Sequence, residues 1–202
     1  MSADAGCGAV DHQWVVVTLG WVSGPTCVIF LNGSFGVGKS STLDHLGDLL
    51  AELGQAFSLM DVDWYHRSWP PGDDDPHNVL TEAANMTAVW DNYRRTGPRQ
   101  PVMAGVITSE QDRQRYERIF SLPVRSVRLV STAAVTEERL RRRYTQHQSR
   151  SLTWHLERHL DLSKQLALRN LDDVVIHTDE RDPRSVAESV ASHFGLLPAT
   201  SP

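Results

Sequence analysis

Lysine is almost missing from this chain of 202 residues: Lys39 and Lys164 are its only two, and arginine supplies the rest of the 20 basic side chains. Against 25 acidic residues this leaves a formal net charge of -5, which gives no electrostatic reason to expect binding to nucleic acid or to an anionic membrane. A small-molecule substrate is the partner to expect. Cysteine is nearly as scarce, for Cys7 and Cys27 stand alone outside any metal-ligand spacing. Reduced thiols in a cytoplasm are the simplest account. Long apolar runs are lacking too. The nearest, Trp14-Val15-Val16-Val17-Thr18-Leu19-Gly20-Trp21-Val22, is too short to span a bilayer and follows Asp4 and Asp11 with no Lys or Arg before it, so the basic flank of a signal peptide is absent. Residues 1–25 therefore read as an N-terminal extension, 26–197 as one domain with its own core, and 198–202 as a tail.

In a chain so poor in lysine, Lys39 stands inside a glycine-rich octet. Gly33-Ser34-Phe35-Gly36-Val37-Gly38-Lys39-Ser40 follows the apolar run Cys27-Val28-Ile29-Phe30-Leu31 and opens an amphipathic stretch, which is the full phosphate-loop pattern G-x-x-x-x-G-K-S. Glycines let the backbone wrap with its N–H groups turned inward, and the following helix aims its positive end at phosphate. Lys39 is expected on the β- and γ-phosphates, the Ser40 hydroxyl on Mg²⁺ and the Ser41 hydroxyl on the α-phosphate. The chain is thus expected to bind ATP with Mg²⁺.

Apolar runs at Val28–Leu31, Ala56–Met60, Val102–Ile107, Val124–Leu129 and Val174–His177 alternate with helical patterns near Lys39–Leu53, Pro76–Arg95, Glu110–Phe120, Thr136–Tyr144, Leu152–Arg169 and Pro183–Phe194. Such alternation predicts an α/β fold, a five-stranded parallel sheet with helices on both faces. Asp75-Pro76 and Asp182-Pro183 each read as a helix cap followed by proline at the first helical position. Ligands of such sheets sit beyond the carboxyl ends of the strands.

At one of those ends stands Met60-Asp61-Val62-Asp63. In extended backbone the two carboxylates point the same way, so one can serve the metal while the other accepts a proton from an attacking hydroxyl. The alternative is an aspartate-rich turn. No aspartate follows the third run, where Thr108-Ser109-Glu110 stands instead, so the usual metal aspartate of phosphate-loop motors is missing and the metal role shifts to Asp61. Gly105 either admits the substrate closely or packs inside a crowded strand. Beyond the fourth run, Glu137-Glu138-Arg139-Leu140-Arg141-Arg142-Arg143 places Arg139 and Arg143 one helical turn apart. They are the first candidates for γ-phosphate contact, with Arg150 behind them. The competing account is a solvated face paired with Glu137 and Glu138. His66, His77, His147 and His155 have no convincing metal spacing. Trp90 and Tyr93 are expected to face the core.

The octet, the Asp-x-Asp and the arginine-rich segment together resemble the small phosphate-loop kinases: shikimate kinase, gluconate kinase, adenylylsulfate kinase and chloramphenicol phosphotransferase. The resemblance spans roughly Val28 to Phe194. It implies a three-layer phosphate-loop sandwich with an arginine-rich lid, Asp61 assisting the metal and Asp63 on the substrate hydroxyl. Arg67, four residues after Asp63, would contact substrate, and the loop His177–Pro183 would pack against adenine. The reading is an ATP-dependent phosphotransferase acting on a small alcohol, with an antibiotic, a nucleoside and a sugar acid among the acceptors. The alternative is a regulatory or non-catalytic ATP-binding protein.

Overall fold

The structure, a computed structural model, describes residues 24–198. The expected extension and tail lie outside those residues, apart from Gly24, Pro25 and Pro198. Val28 to Leu31 are buried on both sides and, with Asn32, form β1 (Val28–Asn32). A strand without an exposed face belongs at the centre of a covered parallel sheet. β1 lies there, and β2 (Phe57–Asp61), β3 (Gln100–Ala104), β4 (Val124–Val130) and β5 (Val174–His177) complete the parallel order β2-β3-β1-β4-β5.

Side chains alternate across the sheet. Ile29 and Leu31 meet Leu43, Leu46 and Leu50 of α1 (Lys39–Glu52) and Val186 and Val190 of α6 (Pro183–His193). Val28 and Phe30 meet Met86 and Trp90 of α2 (Val79–Arg94) and Tyr116 and Phe120 of α3 (Glu110–Phe120). α4 (Ala133–Arg143) and α5 (Ser149–Arg169) pack against each other. The expected α/β sandwich with helices on both faces is what these residues build.

Several boundaries differ from expectation for identifiable reasons. β3 stops at Ala104: the Gly105 N–H gives Leu31 O the last rung of the pairing with β1, and beyond it the Ile107 N–H and C=O both bind the Asn32 side chain. α2 begins at Val79, three residues later than the Asp75-Pro76 cap predicts. The Asp75 carboxylate still accepts from the Leu80 and Thr81 N–H groups, at 3.1 and 2.8 Å, but reaches them from a preceding turn. Asp182 and Pro183 do cap α6 as the sequence predicts. Trp90 is buried against Phe120, whereas Tyr93 is partly exposed, contrary to the expectation for the pair.

Candidate functional site

The phosphate loop occupies the turn between β1 and α1. Gly33 has φ 145°, and a Cβ there would stand 2.6 Å from Leu129 O. Gly38 (φ 100°) delivers the chain into α1 from the left-handed region, which L side chains rarely adopt. The loop is anchored by Asn32, a fully buried amide. Its Oδ1 accepts from the Gly33 N–H at 2.9 Å and the Ile107 N–H at 3.1 Å; its Nδ2 donates to Ile107 O at 3.2 Å and Asp172 Oδ1 at 2.8 Å. Pattern reading passed over this residue, although a polar side chain closing an apolar strand just before Gly33 was its signal.

Two loop residues expected to meet nucleotide are also engaged with α5. Ser34 Oγ donates to His159 O at 2.7 Å, which leaves the Ser34 N–H as the group able to face phosphate. The Phe35 ring packs edge-on against Trp154 at 5.2 Å and His155 at 4.7 Å. A buried hydrogen bond and an aromatic cluster thus seat α5 on the loop.

Lys39 lies at the electrostatic centre. Its Nζ donates to Gly33 O at 2.8 Å and Ser34 O at 2.9 Å. Loss of water around the ammonium pulls its pKa down to about 8; Asp63 and Asp61 oppose that shift and Arg143 adds to it. Lysine, both aspartates and one arginine are therefore within mutual electrostatic reach.

The Asp-x-Asp segment departs from the extended geometry expected of it. The strand ends at Asp61, whose Oδ1 accepts from the Asp63 N–H at 3.1 Å and turns Val62–Trp64 into a single 3₁₀ turn. The aspartate turn forms and still leaves both carboxylates within electrostatic reach of Lys39. Asp61 Oδ2 accepts from Ser40 Oγ at 2.7 Å. A hydroxyl and a carboxylate oxygen side by side are suitable donors for Mg²⁺, which typically takes one or two protein oxygens and completes its shell with phosphate and water. Among the described residues no three His, Cys, Asp or Glu gather into an all-protein metal cage. Ser41 follows Ser40 as an exposed residue in the first turn of α1.

The arginines separate by role. Arg143 is the one that acts on Lys39, and its guanidinium lies 5.6 Å from the centre of the Tyr144 ring. Arg139 bridges the phosphate loop and the loop after β5, its Nη1 lying 3.5 Å from Val37 O. Its Nη1 and Nη2 donate to Thr178 Oγ1 at 2.9 Å and Thr178 O at 2.7 Å, which fastens α4 to the loop after β5. Asp179 in that loop accepts from the Thr132 N–H and hydroxyl at the cap of α4, which holds its carboxyl below the usual range. Arg141 and Arg142 pair with Glu137 and Glu138 on an exposed face, as the solvated account has it. Arg150 is exposed near the start of α5. The connection beyond Arg143 is anchored more firmly than its composition suggests, because Tyr144 Oη lies 3.1 Å from His155 Nδ1 and Gln148 caps Thr145.

In the segment after Asp63, Arg67 stacks on the Trp64 ring at 4.6 Å. Trp64 and Trp69 are 71% and 89% exposed, so large apolar surface stands in this insert. Gly105 is not an open approach to substrate. A Cβ there would lie 2.8 Å from Val62 Cγ2 and 3.0 Å from Phe30 Cζ, so the glycine packs β3 against the Asp61–Asp63 turn.

A central parallel strand running into this loop and helix defines the phosphate-loop nucleotide-binding class of α/β proteins. No protein-family model and no curated protein matches the chain. Its fold is similar to solved small phosphate-loop kinases. A shikimate kinase from Acinetobacter baumannii in complex with shikimate aligns at TM-score 0.56 and 16% identity, over 86% of this chain and 96% of that one. A gluconokinase from Sinorhizobium meliloti aligns at 0.56 and 14%, over 87% and 95%. A tunicamycin resistance protein from Deinococcus radiodurans aligns at 0.57 and 20%, over 87% and 99%. At these identities the likeness establishes the fold. Among the described residues no helix is long and apolar enough to cross a membrane.

Proposed function

We propose that the protein is a cytoplasmic, ATP-dependent phosphotransferase that moves the γ-phosphoryl group to a hydroxyl of a small molecule. The observation that carries the reading is that Lys39 lies within electrostatic reach of two carboxylates, Asp61 at the end of β2 and Asp63 in the turn after it, and of the Arg143 guanidinium at the end of α4. A nucleotide-binding module needs the phosphate loop; phosphoryl transfer additionally needs a proton acceptor and cations that meet developing charge.

In this reading the phosphate-loop N–H groups and the α1 N-terminus hold the β-phosphate, and Lys39 exchanges its carbonyl partners for phosphate oxygens. Ser40 and Asp61 would hold Mg²⁺, which when bound neutralises charge on the phosphates. Asp63 accepts the proton of the attacking hydroxyl, and Arg143 stabilises the transferring group. Arg139 positions the loop after β5, on the expected adenine side, and Arg67 with Trp64 lines the acceptor side. The absence of an aspartate after β3 fits this division: Thr108 and Ser109 both engage Asp112 at the start of α3, leaving the metal to Asp61.

The test is a screen of hydroxyl compounds for ATP consumption, with mass detection of the phosphorylated product. A product heavier by one phosphoryl group establishes the reading. Tight ATP binding with no transfer to any alcohol or to water would refute it and leave a regulatory ATP-binding protein.

A further inference from the structure

One acidic side chain has no part in the reaction just described and yet lies buried among aromatic residues. Glu82 occupies the stripe of α2 that carries Met86 and Trp90 into the core, and its side chain is 8% exposed. Burying a carboxylate is costly unless it is fully partnered. Its partners come from two directions. From α3, the Tyr116 hydroxyl donates to Oε1 at 3.0 Å and Arg115 Nη2 lies 3.6 Å from the same oxygen. From the segment after Asp63, His66 Nδ1 lies 3.1 Å from Oε2.

The contacts continue on both sides. Arg115 Nη1 donates to Asp112 Oδ1 at 3.1 Å, and Asp112 Oδ2 accepts from the Thr108 N–H and hydroxyl beyond the end of β3. His66 lies between Asp63 and Arg67, in a segment whose backbone carbonyls are also fixed by α2. Asn78 Nδ2 donates to His66 O and Ser68 O, and Asn85 Nδ2 donates to Tyr65 O. A polar chain of Thr108, Asp112, Arg115, Glu82 and His66 therefore links the loop after β3 to the turn that carries Asp63.

We propose that Glu82 is a positioning residue, which through His66 holds the Asp63 turn against the acceptor side of the phosphate loop. The proposal rests on the phosphotransferase reading. Glu82 touches no reacting atom; it sets where Asp63 stands, and a displacement of about 1 Å at such a group costs up to roughly 10²-fold in rate.

The test compares Glu82→Gln, His66→Ala and His66→Asn. Asn can donate from nearly the position of His Nδ1, whereas Ala cannot. Phosphoryl transfer from Mg²⁺-ATP is measured to water and to the best alcohol of the screen, alongside the Kd of a fluorescent ATP analogue. Glu82→Gln and His66→Ala are expected to lower kcat about tenfold or more with nucleotide Kd unchanged, and His66→Asn to recover most of it. Imidazole ¹H–¹⁵N spectra should show the His66 tautomer signature altered by Glu82→Gln. His66 is 38% exposed, so its pair of variants still decides the matter if Glu82→Gln fails to fold. Equal turnover of His66→Ala, His66→Asn and the unmodified chain overturns the role and leaves the phosphotransferase reading intact. An unmodified chain that binds nucleotide and transfers nothing overturns both.

Discussion

The depressed pKa of Lys39 ties nucleotide affinity to pH in a way that its charge alone would not. The group titrates near 8 in the free protein because burial disfavours its charged form, against an ordinary value of 10.5. Polyphosphate bound at Nζ favours the charged form, so the bound-state pKa lies higher and binding takes up protons in between. Between pH 7 and pH 9 the fraction of free protein carrying the ammonium falls about tenfold, so the apparent Kd for Mg²⁺-ATP should rise about tenfold over that range. At pH 8.5 calorimetry in buffers of different ionisation enthalpy should register uptake of about 0.8 proton per nucleotide. Lys39→Arg, which stays protonated throughout, should flatten the profile. The stability sign is opposite to that of a salt-bridged lysine. Lys39 holds fewer protons folded than unfolded between about pH 8 and 10.5, so its contribution to stability increases as pH rises through that window. A Kd constant from pH 7 to 9, with no proton uptake, would refute the burial argument and place Lys39 in water.

Four further outcomes follow from the same geometry. Ser40→Ala and Asp61→Asn should each raise the Mg²⁺ concentration needed for half-maximal nucleotide binding while leaving metal-free binding nearly unchanged; equal losses with and without Mg²⁺ would remove both from the metal. Asp63→Asn should lose about 10²- to 10⁴-fold in turnover while keeping nucleotide affinity, as removal of a general base does, and normal turnover would leave Asp63 as a turn residue. Arg143→Ala should lower kcat more than affinity, because its contact strengthens as charge develops. Arg139→Ala should instead lower thermal stability by loosening α4 from Thr178, and a pure kcat defect there would restore it to the phosphate.

What the sequence made legible was whatever chemistry depends on neighbours along the chain. The octet around Lys39 names its own backbone geometry, and the five apolar runs each mark a strand of the parallel sheet. What stayed open lies where a residue's partner is distant. Arg139 and Arg143 share a helical face by spacing, yet Thr178, 39 residues on from Arg139, claims one guanidinium and not the other. Gly105 stayed open between substrate approach and packing because nothing in a linear reading brings Val62 to its Cα. Asp75 shows a middle case, its capping function readable from the dipeptide but the span to Leu80 and Thr81 visible only in three dimensions.

Glu82 was legible in the sequence through its spacing from two buried apolar residues. Glu82, Met86 and Trp90 stand at i, i+4 and i+8, so any helix that buries the methionine and the tryptophan must bury the glutamate with them. Periodicity is usually read for the apolar residues that it collects. A charged residue collected by the same stripe is more informative, because its burial demands partners, and those partners must come from elements packed on that face. Here they arrive from α3 and from the turn after β2, so a carboxylate remote from phosphate ties two loops of the candidate site to the core. One buried stripe of α2 thus does two things, its apolar residues supporting the sheet and its acid bracing the segment that follows Asp63.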